Sequence, residues 1–134
     1  MIIGPEVDAL LGETQVVVLA TISKRGLPHL TPIWFTWEDD SAYMFTSRTS
    51  AKWRNIQRDP NVSLCADRRE PPYAAVVLYG LATEVDRSVY GLVLPMAIRY
   101  YGEEEGLEFA ETYKGDPSGA VVFRLIPDRV VQLL

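Results

Sequence analysis

The sequence is poor in the residues that build metal sites and covalent chemistry. It has one cysteine, Cys65, and one histidine, His29. One cysteine closes no internal disulfide, and the two residues together are too few soft ligands for a zinc site. No apolar run approaches the ~18 residues of a membrane span, and the N-terminus lacks a basic-then-apolar leader. Neither common glycine-rich phosphate loop occurs. Cations are also in deficit: 13 basic residues against 18 acidic ones leave a net charge of −5, a poor match for nucleic acid or anionic lipid. The expectation is a cytoplasmic protein with no metal, nucleic-acid or membrane partner.

What is present is the material of a core. Hydrophobic residues make up 48% of the 134, enough for one domain spanning 1–134 without a covalent staple. Gly4 to Leu11 reads as a short helix, with Pro5 in the first turn and Val7, Leu10 and Leu11 on one face. Gln15–Ile22 is β-branched and apolar, and Ser23 to Gly26 turns it into a second strand, His29–Trp37. A third strand covers Ala42–Ser47. Ser50 caps a helix from Ala51 to Arg58, stopped at Asp59-Pro60. Strands follow at Asn61–Asp67 and Tyr73–Val85, where Gly80 marks a bulge or sharp bend. Asp86–Tyr101 and Glu103–Lys114 read as helices, the first kinked or broken at Gly91 and Pro95. Ala120–Ile126 and Arg129–Leu134 close the chain as strands. The pattern is mainly β, a small closed antiparallel barrel with peripheral helices.

Two strands are apolar on both faces. Leu30, Pro32 and Trp34 alternate with Ile33, Phe35 and Trp37; Val77, Tyr79 and Leu81 alternate with Val76, Leu78 and Ala82. The second face needs cover, from a helix laid over the barrel or from a twofold partner.

Signs of side-chain catalysis are thin. No Ser or Cys nucleophile neighbours His29, and Cys65 sits among apolar residues as a buried thiol does. No residue is assigned a catalytic role. The stretch from Phe45 to Pro60 is different. Thr46, Ser47, Thr49 and Ser50 lie between a strand end and a helix N-terminus, followed at once by Lys52. Hydroxyls, free backbone N–H groups and a lysine within one turn make an anion site; the same residues also make a capped helix with a solvated basic face. Trp34, Phe35, Trp37 and Trp53 add aromatic surface, as a wall for a flat ring or as core.

Several segments in order resemble one family: Val18-Leu19-Ala20-Thr21-Ile22, Gly26-x-Pro28, Phe45-Thr46-Ser47, Lys52-x-x-Asn55-Ile56-x-x-Asp59-Pro60-x-Val62, Gly80-x-Ala82 and Ile126-Pro127-Asp128-Arg129-Val130. They are similar to the pyridoxamine 5′-phosphate oxidase-like split barrels. The resemblance implies a six-stranded antiparallel split β-barrel of the FMN-binding type, homodimeric, with a flavin or deazaflavin at each subunit interface. It implies a cofactor phosphate held by Lys52 with Thr46, Ser47 and Ser50. Thr31, Pro32, Ile33 and Trp34 would line the ring, Trp53 would add aromatic surface, and Tyr79 would reach in from the partner. True pyridoxamine phosphate oxidases carry a basic residue before the second strand and a longer C-terminal segment. Here the first place holds His29-Leu30-Thr31 and the sequence closes at Leu134, so that activity is not expected. Arg99-Tyr100-x-Gly102 before an acidic helix resembles the short subgroup that uses coenzyme F-420. Many members of that subgroup carry a basic residue two positions before the lysine. This chain has Ser50 there, with Arg48 and Arg54 the nearest cations. The implied function is hydride transfer between F-420, or FMN as the alternative, and a small organic acceptor. The rivals are a non-catalytic flavin-binding or storage protein and a barrel that serves only as an interaction protein.

Overall fold

The computed structural model describes residues 3–133; Leu134, placed above in the last strand, lies outside them. The chain runs α1 (Pro5–Leu11), β1 (Val17–Ile22), β2 (Pro28–Ile33), β3 (Thr36–Glu38), β4 (Ser41–Ser47), α2 (Ala51–Arg58), β5 (Asn61–Arg68), β6 (Ala74–Glu84), α3 (Val89–Tyr101), α4 (Glu103–Ala110), a short 3-10 turn and β7 (Ala120–Gln132). The strands form one antiparallel sheet in the order β2-β1-β5-β6-β7-β4-β3. The edge strands β2 and β3 are not paired with each other, so the curled sheet stays split.

Seven strands stand where the split-barrel resemblance implies six. The expected strand from His29 to Trp37 breaks at Trp34-Phe35. Its first part pairs with β1 (Val17 opposite Ile33), its second with β4 (Thr36 opposite Tyr43). The two expected terminal strands fuse instead into the 13-residue β7. Pro127-Asp128 does not end that strand, because it lies where the register shifts between Tyr79 and Gly80. Tyr79 faces Arg129 and Gly80 faces Pro127, so Asp128 is an extra residue, a bulge in the ladder. The break expected at Gly91 and Pro95 is absent, and α3 runs on through Pro95. Both residues are exposed, so the Gly91 carbonyl that Pro95 leaves without a donor can turn to water.

One core fills the concave side of the sheet. It joins Val17, Leu19, Met44, Leu64, Leu78 and Phe123 to Leu10 and Leu11 of α1 and to Trp53 and Ile56 of α2. A second cluster lies on the opposite face of β4 and β7, where α3 and α4 pack over Val122, Tyr43 and Phe45. A helical cover is therefore present, but only over that half. On β2, β1, β5 and β6 the outward residues register as one apolar face through the pairs Ala20–Leu30, Ala20–Ser63, Ser63–Tyr79 and Leu81–Ile126. Leu30 is 65% exposed, Leu81 48%, Ile126 50% and Tyr79 37%. None of the described helices is long and apolar enough to cross a membrane.

Two glycines mark close approaches. A Cβ on Gly80 would lie 2.4 Å from the Ile126 carbonyl oxygen, and one on Gly106 2.5 Å from the Ile98 Cα, where α4 crosses α3. Both obstacles are backbone and cannot swing aside. Gly80→Ala should therefore cost about 1–3 kcal/mol, the range of an overpacked core. Denaturant titration checks it: the midpoint should fall without a change in slope.

Candidate functional site

The site is built where β4 hands the chain to α2. Thr46 is buried at the end of β4 and donates its hydroxyl to Ser50 Oγ at 3.1 Å. Ser50 Oγ in turn accepts the Trp53 backbone N–H at 3.1 Å, the helix cap read from the sequence. Ser47 stays exposed, its Oγ 3.0 Å from Thr49 Oγ1. The expected hydroxyl cluster thus exists, and part of it is engaged in capping α2.

Lys52 enters the first turn of α2 half-buried. None of the ion pairs among the described residues includes it. Burial alone pushes its ammonium below the usual lysine range. It lies one turn before Asn55 on the same helix face, and Asn55 Nδ2 donates to Thr21 Oγ1 of β1 at 3.0 Å. That bond sets this face of α2 beside β1, whose neighbour in the sheet is β2.

The edge strand β2 presents His29, Thr31 and Ile33 to the same side as Thr21 and Leu19, their register partners being Thr21–His29 and Leu19–Thr31. His29 Nδ1 and Thr31 Oγ1 are buried and have no hydrogen-bond partner. Buried polar atoms are ordinarily paired, so this edge strand carries unused hydrogen-bonding capacity at two neighbouring positions of one face. Thr31 was expected here. His29 was not, since it has no nucleophile to serve; the signal that finds it is alternation, which puts residues 29 and 31 on one face.

The nearby arginines differ in availability. Arg48 is tied to Glu84 at 2.8 Å, which holds the Glu84 carboxylate below its usual range, so Arg48 is already neutralised. Arg54 donates only to the Thr49 carbonyl, at 3.0 Å, and keeps its charge uncompensated at the helix start. Of the two cations near Ser50, Arg54 is the one free to serve.

The aromatic residues divide. Trp53 is buried and packs against Phe123 with centroids 5.7 Å apart; Ile33 joins the same core. These two can floor a site, Ile33 with apolar surface alone. Trp34 leaves the sheet at the β2–β3 break and stacks on Tyr100 of α3, 4.5 Å between centroids and 8° between planes. Pro32 is exposed on the outward face of β2, opposite Val18. Tyr79 stands on the outward face of β6 under the Arg129 guanidinium, 5.3 Å from ring centroid to charge, and is not among the α2 residues. Cys65 shares that outward face, half-buried rather than buried as expected, and burial chiefly raises its thiol pKa, which lowers its thiolate fraction. No group of three metal-ligating side chains occurs among the described residues.

Comparison with known proteins agrees with this geometry. The family described as pyridoxamine 5′-phosphate oxidase matches residues 3–133. The chain belongs to that family. Three solved structures share its fold. A conserved hypothetical protein of Mycobacterium tuberculosis is 23% identical with a TM-score of 0.80, over 98% of this chain and 84% of the other. An F420 reductase is 22% identical with a TM-score of 0.79, over 96% and 98%. The heme storage protein HutZ of Vibrio cholerae is 20% identical with a TM-score of 0.72, over 98% and 94%. No match was found among curated proteins. These likenesses establish a split barrel of the family and leave the ligand to the site's own chemistry.

The isolated charge on Lys52 has a consequence for the ligand-free protein. Its folded pKa lies below its unfolded value, so between the two the unfolded chain binds the extra proton, and stability rises with pH through that window. Below the window the buried charge is a constant penalty. Lys52→Met should therefore melt at or above the wild-type temperature at pH 7, and that advantage should shrink as pH approaches the unfolded lysine pKa. Calorimetry at several pH values checks this.

Proposed function

We propose that this protein binds a phosphate-bearing deazaflavin or flavin, F-420 first and FMN second, and transfers a hydride between it and a small organic acceptor. The observation that carries the reading is Lys52: a half-buried ammonium in no ion pair among the described residues, in the first turn of a helix capped by Ser50. A phosphate would supply the missing charge. The orphaned Thr31 Oγ1 and His29 Nδ1 offer it or the adjoining ring further contacts. The residues present thus fit the group that the family implies.

In this reading Lys52, Thr46, Ser47 and Ser50 hold the phosphate, and Arg54 supplies the second cation that Ser50 does not. The backbone of the Thr31–Trp34 segment borders the ring, with Thr31 and Ile33 turned toward it, Pro32 on the opposite face and Trp34 braced on Tyr100, while Trp53 adds aromatic surface to the floor. The bound coenzyme supplies the hydride chemistry; the protein anchors, orients and excludes water. Hydride transfer of this kind requires no side-chain acid or base, and no residue is assigned that role.

The uncovered outward face belongs to the same proposal. Its apolar residues on β1, β2, β5 and β6 meet a second copy of the chain, which brings Tyr79 toward the partner's cofactor. Light scattering should give a dimer at micromolar concentration. A charge in the middle of the face, Leu81→Lys or Leu30→Lys, should yield folded monomers with weakened cofactor binding; a wild-type monomer would refute the shared site.

Calorimetric titration with FMN, riboflavin and F-420 tests the cofactor. Lys52→Ala should weaken FMN and F-420 about ten- to a hundredfold, the loss of one charge-assisted hydrogen bond of about 1.5–3 kcal/mol. Riboflavin, lacking the phosphate, should be little affected. Equal affinities of wild type and variant for FMN and F-420 would leave Lys52 a solvated helix residue and remove the phosphate site. Turnover of reduced coenzyme with candidate acceptors separates an enzyme from a storage protein that uses the same groove.

A further inference from the structure

The β2–β3 break leaves Phe35 outside both ladders. Ile33 is the last residue paired with β1 and Thr36 the first paired with β4. Phe35 is fully buried, so its backbone N–H and C=O cannot turn to water and need protein partners. Both come from the last turns of α3. Phe35 N–H donates to Tyr100 Oη at 3.4 Å, and Arg99 donates from Nη2 to the Phe35 carbonyl at 2.9 Å. The Tyr100 hydroxyl in turn donates a hydrogen bond to the Gln15 carbonyl ahead of β1, so one phenol ties together three segments. The ring of the same tyrosine lies flat against Trp34, with the Arg99 guanidinium 5.5 Å from its centroid. Arg99 makes no ion pair among the described residues, and its buried Nε has no partner. A guanidinium partly removed from water, with no carboxylate to meet it, is costly as mere packing. Among the described residues the one hydrogen bond of its guanidinium goes to the carbonyl of the break.

We propose that Arg99 and Tyr100 are positioning residues for the cofactor site: by holding both backbone polar groups of Phe35, and by stacking on Trp34, they set the height and plane of the segment that lines the ring. The inference rests on the reading of Thr31–Trp34 as the ring-lining segment. It adds that the contribution of this segment is delivered from α3, 65 residues further along the chain. Neither residue is asked to touch the coenzyme. Tyr100 acts through Phe35 N–H and the Trp34 ring, and Arg99 through the Phe35 carbonyl.

Three variants test it. Tyr100→Phe keeps the ring and its stack but loses the hydroxyl. Arg99→Met keeps much of the aliphatic length but cannot donate. Arg99→Lys can still donate to the Phe35 carbonyl. Amide exchange at Phe35, the melting temperature, FMN and F-420 affinity, and the visible circular dichroism of bound FMN are measured for each. Tyr100→Phe should quicken exchange at Phe35, weaken FMN and F-420 by about three- to tenfold, the scale of one hydrogen bond, and change the FMN dichroism. Arg99→Met should weaken both cofactors and alter the dichroism similarly, and Arg99→Lys should restore most of the loss. Wild-type affinity and dichroism in Tyr100→Phe and Arg99→Met, with faster exchange at Phe35, would make the pair structural only and overturn the proposal while the cofactor reading stands. Unchanged Phe35 exchange in Tyr100→Phe would overturn it at its first step. Failure of the wild type to bind either FMN or F-420 would instead remove the cofactor reading, and the proposal with it.

Discussion

The sheet depends on the near-contact of β6 and β7 at Gly80. There the backbones approach so closely that a single methyl group would strike the Ile126 carbonyl, and Asp128 is squeezed out of register. A bulge bends its strand and sharpens the local twist. β7 can therefore run on for 13 residues, pairing with β4 from Ala120 to Leu125 and with β6 from Phe123 to Gln132. The bulge also changes which residues face outward. Before it, Val122 meets the second helical cluster; after it, Arg129 stands beside Tyr79 on the uncovered side. Ile126, ahead of the bulge, already faces the uncovered side with Leu81, and past the bulge that place passes to Arg129 beside Tyr79.

Electrostatics divide the cations around the hydroxyl cluster in a similar way. Arg48 has spent its charge on Glu84, whereas Lys52 and Arg54 have no acidic partner among the described ion pairs. At the N-terminus of a helix the macrodipole already disfavours a cation, and burial adds to the penalty at Lys52. A residue this ill placed for stability is well placed for an anion, and stability lost at a site is commonly tied to what that site binds. The same logic covers Thr31 and His29, whose buried polar atoms find nothing in the protein to bond.

The segment around Trp34, proposed to border the ring, and the helical pair form one mechanical unit. Trp34, Tyr100, Tyr101 and Phe109 make a continuous aromatic contact with centroid separations from 4.5 to 5.4 Å. Gly106 lets α4 lie directly on the Ile98 backbone, which keeps this pair of helices close. Stiffness at the break in the sheet therefore comes from α3 and α4, since the two-residue gap has no ladder of its own.

Much of this was legible in the amino-acid sequence. The 3.6 and 2.0 periodicities located every helix and most strand boundaries. Ser50 announced the cap, Gly80 the bulge, and the doubled apolar faces of two strands announced surfaces in need of cover, because each of these signals is local. The motif from Thr46 to Lys52 gathered its own residues for the same reason. Tertiary structure decided the rest. Nothing local in Trp34-Phe35 reveals that one strand will be shared between β1 and β4, since the break follows from pairing with partners far along the chain. Pro127 looked like a strand end and is a bulge only because Gly80 lies opposite. That Arg48 is neutralised, that His29 and Thr31 are left unpaired, and that Phe35 is held by Arg99 and Tyr100 are all statements about neighbours. Neighbours distant in sequence are set by packing, which no local pattern encodes.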